Sequence, residues 1–245
     1  MITSSNNKTI MSDSRLKDKK ARDERSEFLL EGAKLIEEAY KCGYEIVRAY
    51  AVNPSRLKFL PESLVEQVTE NVIAKLSDVK TPQGEIAVVT KSGCFRENVK
   101  KRALVLENLQ DPKNVGALIR TAAATDFIDV IAIDSADAFS MKAIRSSMGG
   151  IFRVNVITCR MDELKSLLSG KKLYVADMGG KNVFNAQLSA ENVAIAVGNE
   201  GNGVSEEIKN LCDEVISIPM KNGVESLNVA VSGSILMYNF LKEDK

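Results

Sequence analysis

The polar side chains best suited to chemistry lie in three separate stretches of the sequence. The first, residues 107–127, reads ENLQDPKNVGALIRTAAATDF and places Asn114 near the start of a predicted helix. Arg120 lies six residues later, nearly two helical turns, so we expect both residues on roughly the same side of that helix. An arginine leaving an otherwise apolar helix could form a fork for a phosphate or an oxyanion, although a surface arginine or a structural ion pair explains it equally well.

The other two stretches are loops rich in glycine, asparagine and serine. Residues 198–208 read GNEGNGVSEEI, in which the glycines allow a ligand close to the backbone and Glu200 lies inside the turn. Residues 217–238 read SIPMKNGVESLNVAVSGSILMY, and Ser226 and Asn228 lie where the last helix is expected to start. Side chains or free backbone N–H groups can face a ligand there. A tight strand–helix turn and a serine-capped buried helix are the alternatives for these stretches taken alone.

The composition excludes several catalytic classes. The sequence contains no histidine, which excludes Ser-His-Asp and Cys-His catalysis and imidazole acid–base chemistry. It has no G-x-x-x-x-G-K-[ST] phosphate loop, and no apolar run approaches the length that spans a bilayer. The four cysteines are far apart, which favours free thiols in a reducing cytoplasm over a metal site. We therefore expect a cytoplasmic protein with no bound metal and no membrane partner.

The charge is zero overall but unevenly distributed. Residues 1–102 carry 19 basic and 15 acidic residues, a net charge of +4, and residues 103–245 carry the compensating −4. The densest basic run is Arg15 to Arg25, RLKDKKARDER. A solvated helix face is the usual reading of such a run. A nucleic-acid contact is the functional alternative.

Short aliphatic runs alternate with helical segments after residue 102, which indicates an α/β fold with a mostly parallel sheet. All three polar stretches follow predicted strands, where ligands bind in such sheets. The predicted strands are Ala103–Leu106, Val130–Ile133, Val154–Ile157, Leu173–Ala176, Val193–Val197 and Val215–Ile218. The predicted helices are Val115–Thr125, Ser140–Ser147, Asp162–Leu168, Ser205–Leu211 and Leu227–Leu241.

The N-terminal part is predicted to form a smaller α/β domain. We expect residues 1–12 to be a disordered tail, 13–92 the small domain, 93–101 a polar linker and 102–245 the larger domain. Apolar residues at positions 29, 33, 36 and 40 predict a helix beginning at Phe28 and ending near Gly43. Further predicted elements are the strand Ile46–Val52, the helix Val68–Leu76 and the strand Glu85–Thr90.

Together, NVGALIRTA, GNEGNGVS and IPMKNGVESLNVAVSGSILMY resemble the SpoU (TrmH) family of RNA ribose 2′-O-methyltransferases, in the SPOUT superfamily. The segment KKARDERSEFLLEGAKLIEEA through LSDVKTPQGEIAVV resembles the RNA substrate-binding domain often fused to that family, whose fold is similar to certain ribosomal proteins. The resemblance implies a parallel sheet with a trefoil knot, S-adenosylmethionine as cofactor, and a homodimer. It also implies RNA as substrate, with ribosomal RNA favoured over transfer RNA.

The resemblance also assigns roles to residues. Gly198, Ile218, Met220 and Leu227 would hold S-adenosylmethionine, and the catalytic set would be Asn114, Arg120, Glu200, Ser226 and Asn228. Asn222 stands where the family usually has glycine, and asparagine tolerates positive φ better than other non-glycine residues.

We expect Arg120 to act as a phosphate fork rather than as a base, because a guanidinium is hard to deprotonate. Glu200 is expected to hold Asn114 or Arg120, or to join the proton path. A non-catalytic RNA-binding or ribosome-assembly factor remains the alternative. A Rossmann-type oxidoreductase is disfavoured because no G-x-G-x-x-G follows the first strand.

Overall fold

A computed structural model describes residues 1–91, 102–186, 188 and 191–241. The predicted linker, residues 93–101, lies outside the described residues. The described chain divides into two compact units. The first unit contains residues 1–91 and 139–152, and the second contains 102–138 and 153–241. Residues 139–152 thus belong to the first unit, whereas the predicted domain bounds assign them to the second.

The described strands are β1 (Glu27–Glu31), β2 (Ile46–Ala51), β3 (Val65–Gln67), β4 (Glu85–Thr90), β5 (Arg102–Glu107), β6 (Asp129–Ile133), β7 (Asn155–Thr158), β8 (Lys172–Asn182), β9 (Val193–Val197) and β10 (Glu214–Ser217). The described α-helices are α1 (Lys8–Ser14), α2 (Lys19–Arg25), α3 (Ala33–Lys41), α4 (Glu70–Leu76), α5 (Pro112–Ala124), α6 (Met141–Ser147), α7 (Met161–Leu167), α8 (Glu206–Lys209) and α9 (Val229–Leu241). Short 3-10 turns occur at Arg15–Lys17, Pro54–Leu57, Glu62–Leu64 and Gly150–Arg153.

The first unit is built on a four-stranded sheet in the order β1-β4-β2-β3. Strand β4 pairs antiparallel with both neighbours, and β3 pairs parallel with β2. Helices α1 and α4 pack over this sheet, with Ile10, Leu16 and Val72 fully buried. Met141 of α6 joins the same apolar core, which accounts for the inclusion of residues 139–152 in this unit.

The segment around Phe28 is a strand, so the predicted start of the first long helix is wrong. Phe28, Leu29 and Leu30 are buried in β1, and the helix begins only at Ala33. The apolar run pairs with β4, an interior strand of the sheet. Burial of the run in this pairing outweighs the helix-like spacing of its apolar residues. Gly32, at a φ of 95°, makes the turn between strand and helix.

The structure also differs from the expected disordered tail over residues 1–12. Ile2 pairs with Val68 as an isolated bridge, and the Asn7 side chain caps α1 by accepting from the N–H of Thr9 at 2.9 Å. Ile10 is completely buried. Burial of apolar side chains in the core therefore orders a segment whose polar composition indicated disorder.

The basic run from Arg15 to Arg25 is used largely for internal contacts. Arg22 is buried and donates to the carbonyls of Leu16 and Lys17, at 2.7 Å each. The Arg25 guanidinium lies 2.8 Å from the buried carboxylate of Asp13. Lys17 donates to the carbonyl of residue 75 at 2.7 Å. These three side chains therefore make contacts inside the small domain, which neither a solvated helix face nor a nucleic-acid contact had predicted for them.

The second unit is built on a six-stranded sheet in the order β10-β8-β9-β5-β6-β7, with all its strand pairs parallel. This confirms the predicted α/β class with a parallel sheet, beside a smaller α/β unit. Strand β9 is buried along its whole length, as expected for a strand covered on both faces. Because β9 lies beside β5, the loops that follow these two strands start at the same edge of the sheet.

Helices α5 and α9 pack closely against each other at Gly233. A Cβ placed on Gly233 would lie 2.4 Å from the Cδ2 atom of Leu118, so only glycine fits without displacing the leucine. The hydroxyl of Thr121, about one turn beyond Leu118 on α5, lies 2.8 Å from the hydroxyl of Ser234, the residue after Gly233. This close packing brings the start of α9 to the start of α5. No helix in the described part of the chain is long and apolar enough to cross a membrane.

Candidate active site

The three polar stretches meet through direct side-chain hydrogen bonds. The Nδ2 atom of Asn114 donates to Oε1 of Glu200 at 2.8 Å. The Nδ2 atom of Asn228 donates to Oδ1 of Asn114 at 3.1 Å. Asn114 therefore bridges residues that lie 86 and 114 positions away along the chain. The structure brings together three of the five predicted catalytic residues.

The orientation of both amides is fixed by the groups at the two ends of this chain. The carboxylate of Glu200 can only accept, so Asn114 must turn its NH₂ group toward it. At the other end, Oδ1 of Asn228 accepts from the backbone N–H of Ala230 at 2.9 Å, so its NH₂ group must face Asn114. The result is a directed series of donors that runs from the start of α9 to the Glu200 carboxylate.

Local sequence signals explain why each helix starts where it does. Asp111 caps α5 by accepting from the N–H of Lys113 at 3.0 Å, and Pro112 supplies the first helical residue without a backbone donor. Asn228 accepts from the N–H groups of Ala230 and Val231 just before α9. Asparagine is among the preferred capping residues because its oxygen satisfies N–H groups that have no helical partner.

The loop after β9 folds back on itself at Gly198. A Cβ on Gly198 would lie 2.1 Å from the carbonyl oxygen of Gly203, so a side chain there would displace the backbone. Asn199 holds the turn by accepting from the N–H of Gly201 at 2.9 Å. Its Nδ2 atom donates to the carbonyl of Asn108, just after β5, also at 2.9 Å. Glu200 is thus presented from a compact turn tied to the neighbouring strand end.

Arg120 does not lie on the same face of α5 as Asn114, so that expectation is wrong. Six residues turn an α-helix by about 600°, which leaves the two side chains about 120° apart. Thr121, seven residues after Asn114, is the residue that shares its face and contacts Ser234 of α9. The Arg120 side chain is exposed, and no hydrogen bond or ion pair joins it to the described residues. It is available to a ligand or a partner molecule.

The segment between β10 and α9 supplies the remaining predicted site residues except Gly198, which follows β9. Residues 218–228 belong to no helix or strand, and a turn is closed by the N–H of Val224 donating to the carbonyl of Lys221 at 3.2 Å. Asn222 lies in this turn at a φ of 58°. A positive φ is expected there, because the SpoU family usually has glycine at this position. Gly198 is buried, Ser226 is exposed, and the apolar residues of the predicted cofactor set are half-buried: Ile218, Met220 and Leu227.

Sequence reasoning missed the residues that support this arrangement. Asn199 and Glu107 anchor the loop after β9, the latter by accepting from the N–H of Ser205 at 2.7 Å. The position of Glu107 at the end of a buried strand was a usable signal, since a carboxylate that is only 6% exposed requires a partner. Among the described residues, no group of histidine, cysteine or carboxylate side chains could hold a metal ion.

The chain matches the models of two known protein families. Residues 101–238 match the SpoU rRNA methylase family, and residues 7–87 match the MRM3-like substrate binding domain. The first match covers more than half of the chain. This protein belongs to the SpoU rRNA methylase family and carries an MRM3-like substrate binding domain at its N-terminal side.

Individual relatives match over nearly the whole chain. The 23S rRNA (guanosine(2553)-2′-O)-methyltransferase RlmP of Bacillus subtilis is 31% identical, over 97% of this chain and 98% of that protein. A crystal structure of an RNA 2′-O ribose methyltransferase matches with a TM-score of 0.82 and 30% identity, over 99% and 98% of the two chains. The SpoU methyltransferase AviRb of Streptomyces viridochromogenes, solved in complex with AdoMet, is 23% identical with a TM-score of 0.87, over 98% of each chain, and shows the same fold.

Proposed function

We propose that this protein transfers a methyl group from S-adenosylmethionine to a ribose 2′-hydroxyl in structured RNA, and that the RNA is ribosomal. The observation that carries this proposal is the direct bonding of Asn114 to both Glu200 and Asn228. It unites polar residues of all three family motifs in one exposed site. The B. subtilis relative, which carries a 23S rRNA 2′-O-methyltransferase name, favours ribosomal RNA over transfer RNA.

The residues proposed to hold S-adenosylmethionine suit its chemistry. Ile218, Met220 and Leu227 offer half-buried apolar surface for an adenine ring, on a segment outside helix and strand. Backbone N–H and C=O groups of such a segment are available to a polar ligand. Gly198 completes the set at a point where the backbone is too close to Gly203 for any side chain. When bound, the cofactor supplies an electrophilic methyl group on a sulfonium.

The catalytic residues would position the ribose and stabilise developing charge. The residues of the site would have to hold the ribose 2′-hydroxyl toward the methyl group that a bound cofactor would supply, and to give the hydroxyl proton a path away. We assign Arg120 to the adjacent phosphate, where its fixed positive charge offsets negative charge that develops on the sugar oxygen. Glu200 holds Asn114 and keeps a second carboxylate oxygen for the departing proton or for an intervening water. Ser226, exposed beside Asn228, would orient the ribose.

The first unit would contribute to RNA binding. Within the basic run, Arg15 and Lys19 are exposed and make no ion pair with the described residues, whereas Lys20 pairs only with Glu24 at 3.9 Å. Phosphate contacts made by such side chains strengthen binding in a salt-dependent way. The zero net charge of the chain makes this a local contact rather than a general affinity for polyanions.

The assembly proposed is a cytoplasmic homodimer with a trefoil knot. Val231 and Tyr238 of α9 are 47% and 52% exposed, and they lie two helical turns apart on one face. Burial of this face against a second copy would remove apolar surface from water. The knot is proposed from family membership alone. In such a knot, the chain between β10 and α9 would pass through a preceding loop. The free thiols suit a reducing cytoplasm.

Mapping 2′-O-methyl groups in cellular RNA, with and without this gene, tests the proposed function. We expect one ribosomal ribose to lose its methyl group when the gene is absent and to regain it when the gene is restored. Loss of a transfer-RNA methyl group instead would identify the alternative substrate. No change in any RNA, together with no binding of S-adenosylmethionine in a titration, would favour a non-catalytic RNA-binding or assembly factor.

A further inference from the structure

The loop that carries Glu200 is fastened to the end of the neighbouring strand at two points. At its first residues, Nδ2 of Asn199 donates to the carbonyl of Asn108 at 2.9 Å. At its last residue, the N–H of Ser205 donates to Oε2 of Glu107 at 2.7 Å. Asn108 and Glu107 are consecutive residues at the carboxyl end of β5. The loop is therefore held from both ends against the element that leads into α5 and Asn114.

Asn199 also closes the turn in which Glu200 sits. Its Oδ1 atom accepts from the N–H of Gly201 at 2.9 Å and from the N–H of Asn202 at 3.2 Å. Its own carbonyl accepts from the N–H of Gly203 at 2.9 Å. One side chain thus fixes the backbone on the far side of Glu200 and joins that backbone to β5. No other side chain of the described loop links these two features.

The strand end that receives Asn199 is itself held by several hydrogen bonds. The N–H of Asn108 donates to the carbonyl of Ile133 at 2.9 Å, and the next residue, Leu109, donates to the hydroxyl of Ser135 at 3.0 Å. Asn108 adopts a φ of 53°, and its side chain accepts from Gln110 at 2.6 Å. Asn199 therefore connects the turn that carries Glu200 to a hydrogen-bonded end of the sheet.

We propose that Asn199 is a positioning residue for the methyl transfer. By tying the Glu200 turn to the end of β5, it sets the distance between the Glu200 carboxylate and Asn114. This inference rests on the proposed function. It adds a residue that touches neither substrate nor cofactor in the assignment above and that acts through Glu200. Misplacement of a catalytic group by about 1 Å can cost about a hundredfold in rate.

Two substitutions separate the contacts of Asn199. Asn199→Ala removes all three side-chain hydrogen bonds. Asn199→Asp keeps an acceptor for the two backbone N–H groups but removes the donor to Asn108 and places a carboxylate against that carbonyl. Asn202→Ala is the matched control, because it removes an exposed asparagine side chain of the same loop that makes no hydrogen bond with the described residues. The Glu107–Ser205 contact remains in all three variants and keeps the loop attached.

Steady-state methyl transfer to ribosomal RNA lacking the modification measures the effect. We expect kcat to fall about a hundredfold in both Asn199 variants, with KM for RNA changed less than threefold. Asn202→Ala should retain wild-type kcat. In a Glu200→Ala background, Asn199→Ala should reduce kcat by less than threefold, because a residue that acts through Glu200 has no effect once that carboxylate is gone.

Several results would overturn the inference. Wild-type kcat in Asn199→Asp would show that the contact with Asn108 does not matter. An equal loss in the Glu200→Ala background, or a loss that follows the folded fraction in thermal unfolding, would indicate a purely structural role. If the wild-type protein itself transfers no methyl group, the proposed function fails rather than the role of Asn199.

Discussion

At the scale of single residues, Asn228 caps α9 and also belongs to the proposed catalytic set. Its oxygen caps α9, and its NH₂ group orients Asn114. Asn228→Ala should therefore lower the free energy of unfolding by about 1 kcal/mol through loss of the cap and should also abolish most activity. Asn228→Ser keeps a capping oxygen but offers no amide to Asn114. We expect its urea unfolding to match wild type within a few tenths of a kcal/mol, while its turnover falls as in the alanine variant.

Wild-type turnover in Asn228→Ser would contradict this division of duties. It would show that the amide contact with Asn114 is not needed for the reaction. Equal destabilisation of the serine and alanine variants would instead contradict the capping role.

A buried carboxylate in the first unit makes stability depend on pH. Burial raises the pKa of Glu85, and the neighbouring Arg56 only partly opposes that rise. Its Oε2 atom has no hydrogen-bond partner among the described residues. Because the folded-state pKa is raised, the protonated form contributes stability that is present below the unfolded pKa of about 4.3 and is lost as pH rises through the folded value.

Glu85→Gln should remove that dependence. We expect the wild type to lose stability relative to this variant as the pH rises from acid toward neutrality, in urea unfolding measured across that range. Glu62→Gln, an exposed carboxylate in the same unit, serves as the control. A stability difference between wild type and Glu85→Gln that stays constant, or that changes in the opposite direction, would contradict the account.

At the scale of elements, the loop after β9 is shaped by one glycine more than by the others. A Cβ at Gly198 would lie 2.1 Å from a backbone oxygen, whereas one at Gly201 would meet its nearest neighbour, the Asn199 side chain, at 3.4 Å. Gly198→Ala must therefore move the backbone, and Gly201→Ala need not. We expect calorimetry to show at least a tenfold weaker S-adenosylmethionine affinity for Gly198→Ala and a nearly unchanged affinity for Gly201→Ala, since each tenfold change corresponds to about 1.4 kcal/mol. Equal affinities in both variants would contradict the role of Gly198.

The sequence was sufficient to predict most elements of the second unit. Buried aliphatic runs such as β9 match their predicted bounds because nothing competes with burial on both faces of a sheet. The sequence was insufficient at β1, where the apolar spacing predicted a helix. The segment is a strand because it pairs with β4, a long-range contact that the spacing does not reveal. The sequence prediction that Arg120 and Asn114 share a face of α5 was also wrong. Six residues are close to two turns, but the difference from two full turns leaves the two side chains about 120° apart.

At the scale of the whole molecule, residues 139–152 belong to the unit that contains the N-terminal residues. Deletion of residues 1–92 would expose apolar side chains such as Met141 and Ile144, so it is a poor test of RNA binding. Surface substitutions in the full chain are a better one. Lys19 lies in the proposed RNA-binding run, and Lys165 is an exposed lysine on α7 in the second unit.

Lys19→Glu should weaken RNA binding through lost phosphate contact. We expect KM for RNA to rise severalfold with kcat unchanged, and the slope of log affinity against log salt to decrease in magnitude by about 1. Lys165→Glu carries the same change in charge and should leave both values as in wild type. Equal effects of the two substitutions would indicate a general charge effect and contradict a local RNA contact.

The meeting of the three motifs could not be derived from periodicity. Asn114 reaches Glu200 because β9 lies beside β5, and this strand order is a long-range property of the sheet. The family resemblance implied that juxtaposition from the sequence, whereas the supporting contacts of Asn199 and Glu107 are visible only in the structure. Short-range spacing predicts elements, and only packing decides which of their ends face one another.

The most direct test of the central claim is methyl transfer by Arg120→Ala, measured beside S-adenosylmethionine binding in the same preparation. We predict that wild-type protein methylates a ribose 2′-hydroxyl of ribosomal RNA. The variant should lose about 10²- to 10³-fold in kcat, or about 2.7–4 kcal/mol of transition-state stabilisation, with unchanged heat of cofactor binding. Wild-type turnover in the variant, or no heat from S-adenosylmethionine with the wild-type protein, would contradict the account.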